Sequence, residues 1–132
     1  MKEIYPLNLL GAIVSSTTTG TEVDLAKYYI SPGRRECMAT LSVINSTGVA
    51  SDTGSVIVKL QSSATTVDTD FSDVTGYTFT SVADTDCSTT SASFERLYAG
   101  LPANRYLRAV ATVTGTPILA VNCDVSMVKR DC

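Results

Sequence analysis

Hydrophobic and polar residues alternate with period two through most of this chain, and the clearest run covers residues 105–130. There Leu107, Ala109, Ala111 and Val113 share one face, and Leu119, Val121, Cys123, Val125 and Met127 share another. Thr114-Gly115-Thr116-Pro117 separates the two runs. Such alternation marks a strand with one buried and one wet face. Two such runs around a Gly-Thr-Pro turn predict a long antiparallel hairpin.

The same period recurs upstream. In residues 36–45, Cys37, Ala39, Leu41 and Val43 point one way, and Glu36, Thr40 and Ser42 the other. In residues 56–61, Val56, Val58 and Leu60 point inward and Lys59 outward. Residues 22–30 form an extended element ending at the turn Ser31-Pro32-Gly33. Residues 76–82, with Tyr77 and Phe79, and residues 94–99 form two short strands. The polar connection 62–75 has Phe71 and Val74 as anchors onto the core. Seven to nine short strands with turn signals between them predict an all-β chain. Its fold is a single antiparallel β-sandwich, either jelly-roll or immunoglobulin-like. Residues 1–21 form an N-terminal arm or edge strand, and residues 22–132 the sandwich domain. Glu3, Pro6 and Asn8 interrupt the apolar start, which argues against a signal peptide.

Composition agrees with this pattern. The 132 residues suit one domain. Ser (15) and Thr (19) together make about a quarter of the chain, while charged residues make 17%, so neutral polar groups keep the surface wet. Glu and Lys, both good helix formers, number four each. Net charge is −3, and the basic pairs are confined to Arg34-Arg35 and Lys129-Arg130, which argues against nucleic acid as a partner. No stretch approaches the roughly 20 apolar residues of a membrane-spanning helix.

Candidate chemistry is thin. The absence of His excludes a Ser-His-Asp triad, a Cys-His pair and a His-ligated metal. Asp68, Asp70 and Asp73 cluster in one loop, but the turning Gly and closing Glu of a calcium loop are missing. That loop reads as capping its own backbone, and the second acidic loop, Asp84-Thr85-Asp86-Cys87, is a weaker candidate still. The expectation is a chain with no catalytic residues, metal or cofactor, and not an enzyme.

The four cysteines have no C-x-x-C spacing, so a zinc or redox motif is not expected. Cys37 and Cys123 fall on inward faces, either as core thiols or as an intrachain disulfide between sheets. Cys87 in a polar loop and Cys132 at the end should be exposed. They are either unpaired surface thiols or partners in intermolecular disulfides outside a reducing cytoplasm. Arg105, beside Tyr106 and Arg108, reads as a rim residue in a structural salt bridge, with carboxylate or sugar recognition as the alternative.

Four segments, in order, carry a family resemblance. They are Thr19-Gly20-Thr21-Glu22-Val23-Asp24-Leu25, Val56-Ile57-Val58-Lys59-Leu60-Gln61-Ser62-Ser63, Asp68-Thr69-Asp70-Phe71-Ser72-Asp73-Val74 and residues 104–116, which begin Asn-Arg-Tyr-Leu-Arg-Ala. Together they resemble the small β-sandwich proteins encoded near the major capsid protein of tailed bacteriophages. The resemblance covers roughly residues 17–128. It implies a virion structural protein: a capsid decoration (cement) protein on the capsid surface, made in the host bacterial cytoplasm. The partners it implies are the major capsid protein and other copies of the chain, as in a trimer, with no nucleic acid and no membrane. Leu7, Leu9 and Leu10 then become an arm that docks on a neighbouring subunit. The four cysteines depart from the family pattern and imply a particle reinforced by disulfides. The alternatives are a neck or tail protein of the same particle, or a carbohydrate-binding sandwich. The absence of Trp argues against the latter.

Overall fold

The computed structural model describes residues 2–25, 35–45, 54–88, 90–98 and 104–130, with side chains for all of these except 2–6, 35–37, 84 and 127–130. Among them run ten strands: β1 (Lys2–Val14), β2 (Thr18–Thr19), β3 (Val23–Asp24), β4 (Arg35–Asn45), β5 (Gly54–Ser63), β6 (Ser72–Thr78), β7 (Val82–Ala83), β8 (Ser93–Tyr98), β9 (Tyr106–Gly115) and β10 (Leu119–Arg130). One sheet has the order β1-β10-β4-β8, and the other has β2-β9-β5-β6, with β3 also on β9 and β7 also on β5. Every pairing is antiparallel.

β2 and β3 follow each other along β9, as β6 and β7 do along β5. Counted as two interrupted strands, they leave eight strands. The sheets then read first-last-third-sixth and second-seventh-fourth-fifth. That order is a jelly roll, which decides between the two sandwich types expected. The interruption between β6 and β5 is a bulge: β6 advances from Asp73 to Thr78 while β5 moves only from Gln61 to Lys59. Gly76, at φ 88°, supplies the left-handed residue of that detour.

The alternation correctly named the inward face of β4, β5, β9 and β10. Ala39, Leu41 and Val43 are buried on β4, Val56, Val58 and Leu60 on β5, and Leu107, Ala109 and Ala111 on β9. Leu119, Val121, Cys123 and Val125 complete the core from β10, with Tyr77 and Phe79 from the segment around β6.

Two expectations need correction. The hairpin over residues 105–130 does not exist, because β9 and β10 belong to different sheets. Gly115, at φ 78°, begins the turn, and the chain passes buried Pro117 into the opposite sheet. The two apolar faces therefore meet across the interior instead of lying side by side. Nor is the N-terminal segment a free docking arm. Of the two expectations for residues 1–21, the structure has the edge strand, with β1 paired to β10 from Lys2↔Arg130 to Val14↔Leu119. A bulge between Asn8 and Leu10 reverses the side-chain parity. Leu7, Leu9 and Leu10 are consequently all buried, and they fill the chain's own core.

One open side of the sandwich is closed by the chain leaving β1. Gly20 N–H donates to the Ala109 carbonyl at 2.8 Å, and Thr21 N–H donates to the Leu9 carbonyl, freed at the bulge, at 3.1 Å. A Cβ on Gly20 would lie 2.0 Å from the Leu9 oxygen, so this crossing requires glycine. On the other side, Glu95 of β8 accepts from the Thr80 backbone N–H at 2.9 Å and from its hydroxyl at 3.3 Å. Gly20→Ala should destabilise the fold by at least roughly 1–3 kcal/mol, the usual cost of overpacking. Gly11→Ala should cost far less, since its Cβ meets only a side-chain oxygen of Asn8, at 3.3 Å. Urea unfolding of both variants checks this, and equal midpoints would remove the crossing from the argument.

Candidate functional site

The outer face of the six-stranded sheet brings the four resembling segments together. Antiparallel register sets Gln61 beside Arg108 on one side and beside Asp73 on the other. Arg108 donates from Nε and Nη2 to Gln61 Oε1, at 3.1 and 2.9 Å. Its Nη1 donates to the carboxylate of Asp68, in the single 3-10 turn Asp68–Asp70. The guanidinium lies 4.0 Å from the Phe71 ring centroid. Gln61 Nε2 then donates to Asp73 at 3.0 Å, and Lys59 Nζ donates to the same carboxylate at 3.1 Å.

These contacts form a clasp that folds the 64–71 loop down over β5 and β9. The ion pair is its weaker component. Asp68 is 82% exposed, while the Arg108 side chain is 11% exposed. A pair with one partner in water contributes roughly 0–1 kcal/mol. Burying Phe71 contributes roughly 1.5–3 kcal/mol, and stacking under the guanidinium about 0.5–2 kcal/mol more. Phe71 was expected as an anchor onto the core. It is buried, but beneath Arg108 and apart from the main core cluster, whereas Val74 does pack against that cluster.

The other arginine behaves as the rim residue expected. Arg105 makes a bidentate pair with Asp24 of β3, with both N–H···O distances at 2.8 Å. Its Cζ also sits 5.1 Å over the Tyr106 ring. This pair ties the TG-x-x-VDL segment to the start of β9, where Leu25 N–H donates to the Arg105 carbonyl.

The acidic loop does not gather its carboxylates. Asp68 faces Arg108, Asp70 accepts from the Thr65 hydroxyl at 2.6 Å, and Asp73 faces Gln61 and Lys59. Asp86 accepts from the Ala83 backbone N–H at 2.8 Å, a local cap. Among the described residues, no three metal-ligating side chains converge.

The cysteines are rearranged relative to expectation. Cys37 and Cys123 lie in the same sheet on adjacent strands, where Cys37 pairs with Met127 and Cys123 with Leu41. Four residues of offset separate them by roughly 13 Å along the strands, far beyond disulfide reach. An inter-sheet bridge between them is therefore excluded. Cys123 is a free, fully buried thiol, pushed up to about 12 by burial and then by the nearby Asp124 charge. Cys87 is half-buried and packed against the core, not the exposed loop thiol expected. Cys132 lies outside the described residues.

Polar residues on the solvent side of the strands gave little sequence signal. Lys59 was legible only as an outward position, and Gln61 only as part of a resembling segment, with no hint that both would meet Asp73. Asn8 Nδ2, which donates to Asn122 and Asp124 at 2.8 Å each, was read only as an interruption.

The chain matches no established sequence family. It matches no curated protein either. Among solved structures, it is similar to Desmodium yellow mottle tymovirus (TM-score 0.44, 9% identity, 98% of this chain and 85% of that one). It is also similar to the infectious bursal disease virus VP2 subviral particle (0.49, 10%, covering 98% of this chain and 33% of that one). A third likeness is to the disulfide-linked pili of Bacillus endospore appendages (0.39, 15%, 99% and 92%). At these scores the likenesses say nothing of what the chain does. Among the described residues no helix is long and apolar enough to cross a membrane.

Two outcomes follow from the clasp and the thiols. The hydrogen bond from Gln61, and then Lys59, hold the Asp73 carboxyl below its ordinary value near 3.8. A depressed native value stabilises the fold above the unfolded value, and the gain is lost as pH falls through the native one. The stability advantage of the wild type over Asp73→Asn should be full at neutral pH and shrink to nothing in acid below 3.8; urea titrations at several pH values measure it. Alkylation at pH 8 followed by peptide mapping should modify Cys87 in the native protein and Cys123 only after unfolding.

Proposed function

We propose that the chain is a virion structural protein: a decoration, or cement, protein on the shell of a tailed bacteriophage. The observation that carries this reading is the convergence of its four family-like segments. Each supplies a residue that another segment holds: Asp24 with Arg105, Gln61 and Lys59 with Asp73, and Asp68 and Phe71 with Arg108. The segments are scattered between residues 19 and 116 yet specify adjacent parts of one surface. That is what a shared scaffold requires, and chance strand-and-turn chemistry does not require it.

The chemistry supports an inert role. The charged groups of the clasp are already occupied by one another, and His is absent from the chain. A cement protein needs no turnover. It gains by avidity, because many modest contacts repeat by symmetry over a shell. A surface of Ser, Thr, Asn and Gln depends little on ionic strength, because screening has little to remove. A neck or tail position in the same particle fits the fold equally, and fold alone assigns no function. On this reading Cys87 and Cys132 remain the candidates for links between chains, and the major capsid protein the candidate partner.

Purified particles test the proposal. Mass spectrometry should find the chain at high copy number, and immunogold labelling should place it over the capsid. Label confined to the neck or tail would move the assignment, and absence from the particle would end it. Gels with and without reductant, after free thiols are blocked, should show a band above 14.0 kDa without reductant if disulfides join the chains.

A further inference from the structure

The outer face of the four-stranded sheet is built unlike that of its partner sheet. No loop crosses it among the described residues, and of the outward positions from Asn8 to Ile13 and their partners across the sheet only Asp124 and Arg96 are charged. Register arranges them in rows running β1, β10, β4, β8. One row is Gly11, Asn122, Ser42, Phe94, and the next is Asn8, Asp124, Thr40, Arg96. A third is Ile13, Ala120, Ile44. The three large apolar side chains most exposed among the described residues sit here: Ile13 at 67%, Phe94 at 56% and Tyr98 at 71%. Around the small residues Gly11 and Ala120 an open hollow of about 530 Å³ spans β1, β10 and β4, flanked by Ile13, Ser42 and Ile44. At the β8 end of the Gly11 row stands Phe94, with the Arg96 guanidinium 5.3 Å from its ring centroid. A ring projecting at the β8 edge and a hollow that reaches the β1 edge therefore share one side of the sheet.

We propose that this face is a two-fold interface with a second copy of the chain. Rotation by half a turn about an axis parallel to the strands brings the two faces together. Strand order is then reversed across the contact, while each row keeps its level. β8 of one copy lies over β1 of the other, and β4 lies over β10. Phe94 enters the partner's hollow beside Gly11, and the same contact occurs twice by symmetry. Arg96 arrives over Asn8, next to Asp124 of the partner, so the only two charges described on these rows face each other with opposite sign.

The size is sufficient. The eleven residues of β4 at about 3.3 Å each, and four strands about 4.8 Å apart, give a face of roughly 36 by 19 Å, about 700 Å² in plane. A standard interface uses roughly 800 Å² per partner. Aligned sheets pack in this way with their strands within about 30° of one another. The inference stands on this face alone and does not depend on the proposed virion role.

Sedimentation equilibrium of the full chain, with reductant present to exclude disulfides, tests it. The wild type should sediment at twice 14.0 kDa. Phe94→Asp should weaken association by at least roughly 30-fold, as loss of a central aromatic anchor does. Ile57→Asp, on the outer face of the other sheet, should leave it unchanged. Arg96→Asp and Asp124→Arg should each weaken the dimer, and the double swap should restore it, a rescue that a folding defect would not produce. Circular dichroism checks that each variant is folded. A wild type that stays monomeric up to about 1 mM would overturn the proposal. So would a dimer indifferent to Phe94→Asp and to the swap. Binding of a glycan or a shell subunit through Phe94 by a monomeric chain would assign the face to another occupant and would equally overturn it.

Discussion

Two sheets about 10 Å apart must share one dry interior, and the rest of this molecule answers that demand. It makes each strand alternate. It puts a bulge in β1 so that Leu7 and Leu10 can both point inward on either side of Leu9. It leaves the two open sides of the sandwich to be bridged, by Gly20 and Thr21 at one and by Glu95 and Thr80 at the other. An inward carboxylate on edge strand β8 and a proline at position 6 of edge strand β1 also blunt both edges against uncontrolled strand pairing.

Much of this was legible in the sequence, because burial of one strand face leaves a period of two. Val56, Val58 and Leu60, or Leu119, Val121 and Cys123, could be assigned inward from parity alone. Parity does not tell which sheet a strand joins. The two runs on either side of Gly115 look the same whether they lie edge to edge or face to face, and the structure has them face to face. The same limit misplaced the cysteines: Cys37 and Cys123 were rightly strand residues, but their shared sheet and their offset are matters of register. The leucines of β1 failed for a different reason. A bulge shifts the phase of the alternation, so a continuous core strand reads as an irregular arm.

Polar positions were the least legible. A Gln on the wet side of a strand carries no pattern, and its meaning comes only from its neighbours across the ladder. Gln61 is the hub of the clasp because antiparallel pairing places Arg108 and Asp73 on either side of it. The resembling segments were first visible as an ordered set of weak motifs, and the fold gives them a reason to occur together. Their side chains hold the 64–71 loop against β5 and β9.

The pairing of β1 with β10 has a consequence for how the molecule comes into being. Lys2 lies opposite Arg130, and among the described residues β1 has no other sheet neighbour. During synthesis the leucines of β1 emerge well before β10 and lack that partner strand until it has left the ribosome. Closing so long a loop costs entropy before any contact rewards it, so the jelly roll forms late and slowly. In that interval the chain exposes apolar strands of matching periodicity, when a second nascent copy or a chaperone has the most to bind.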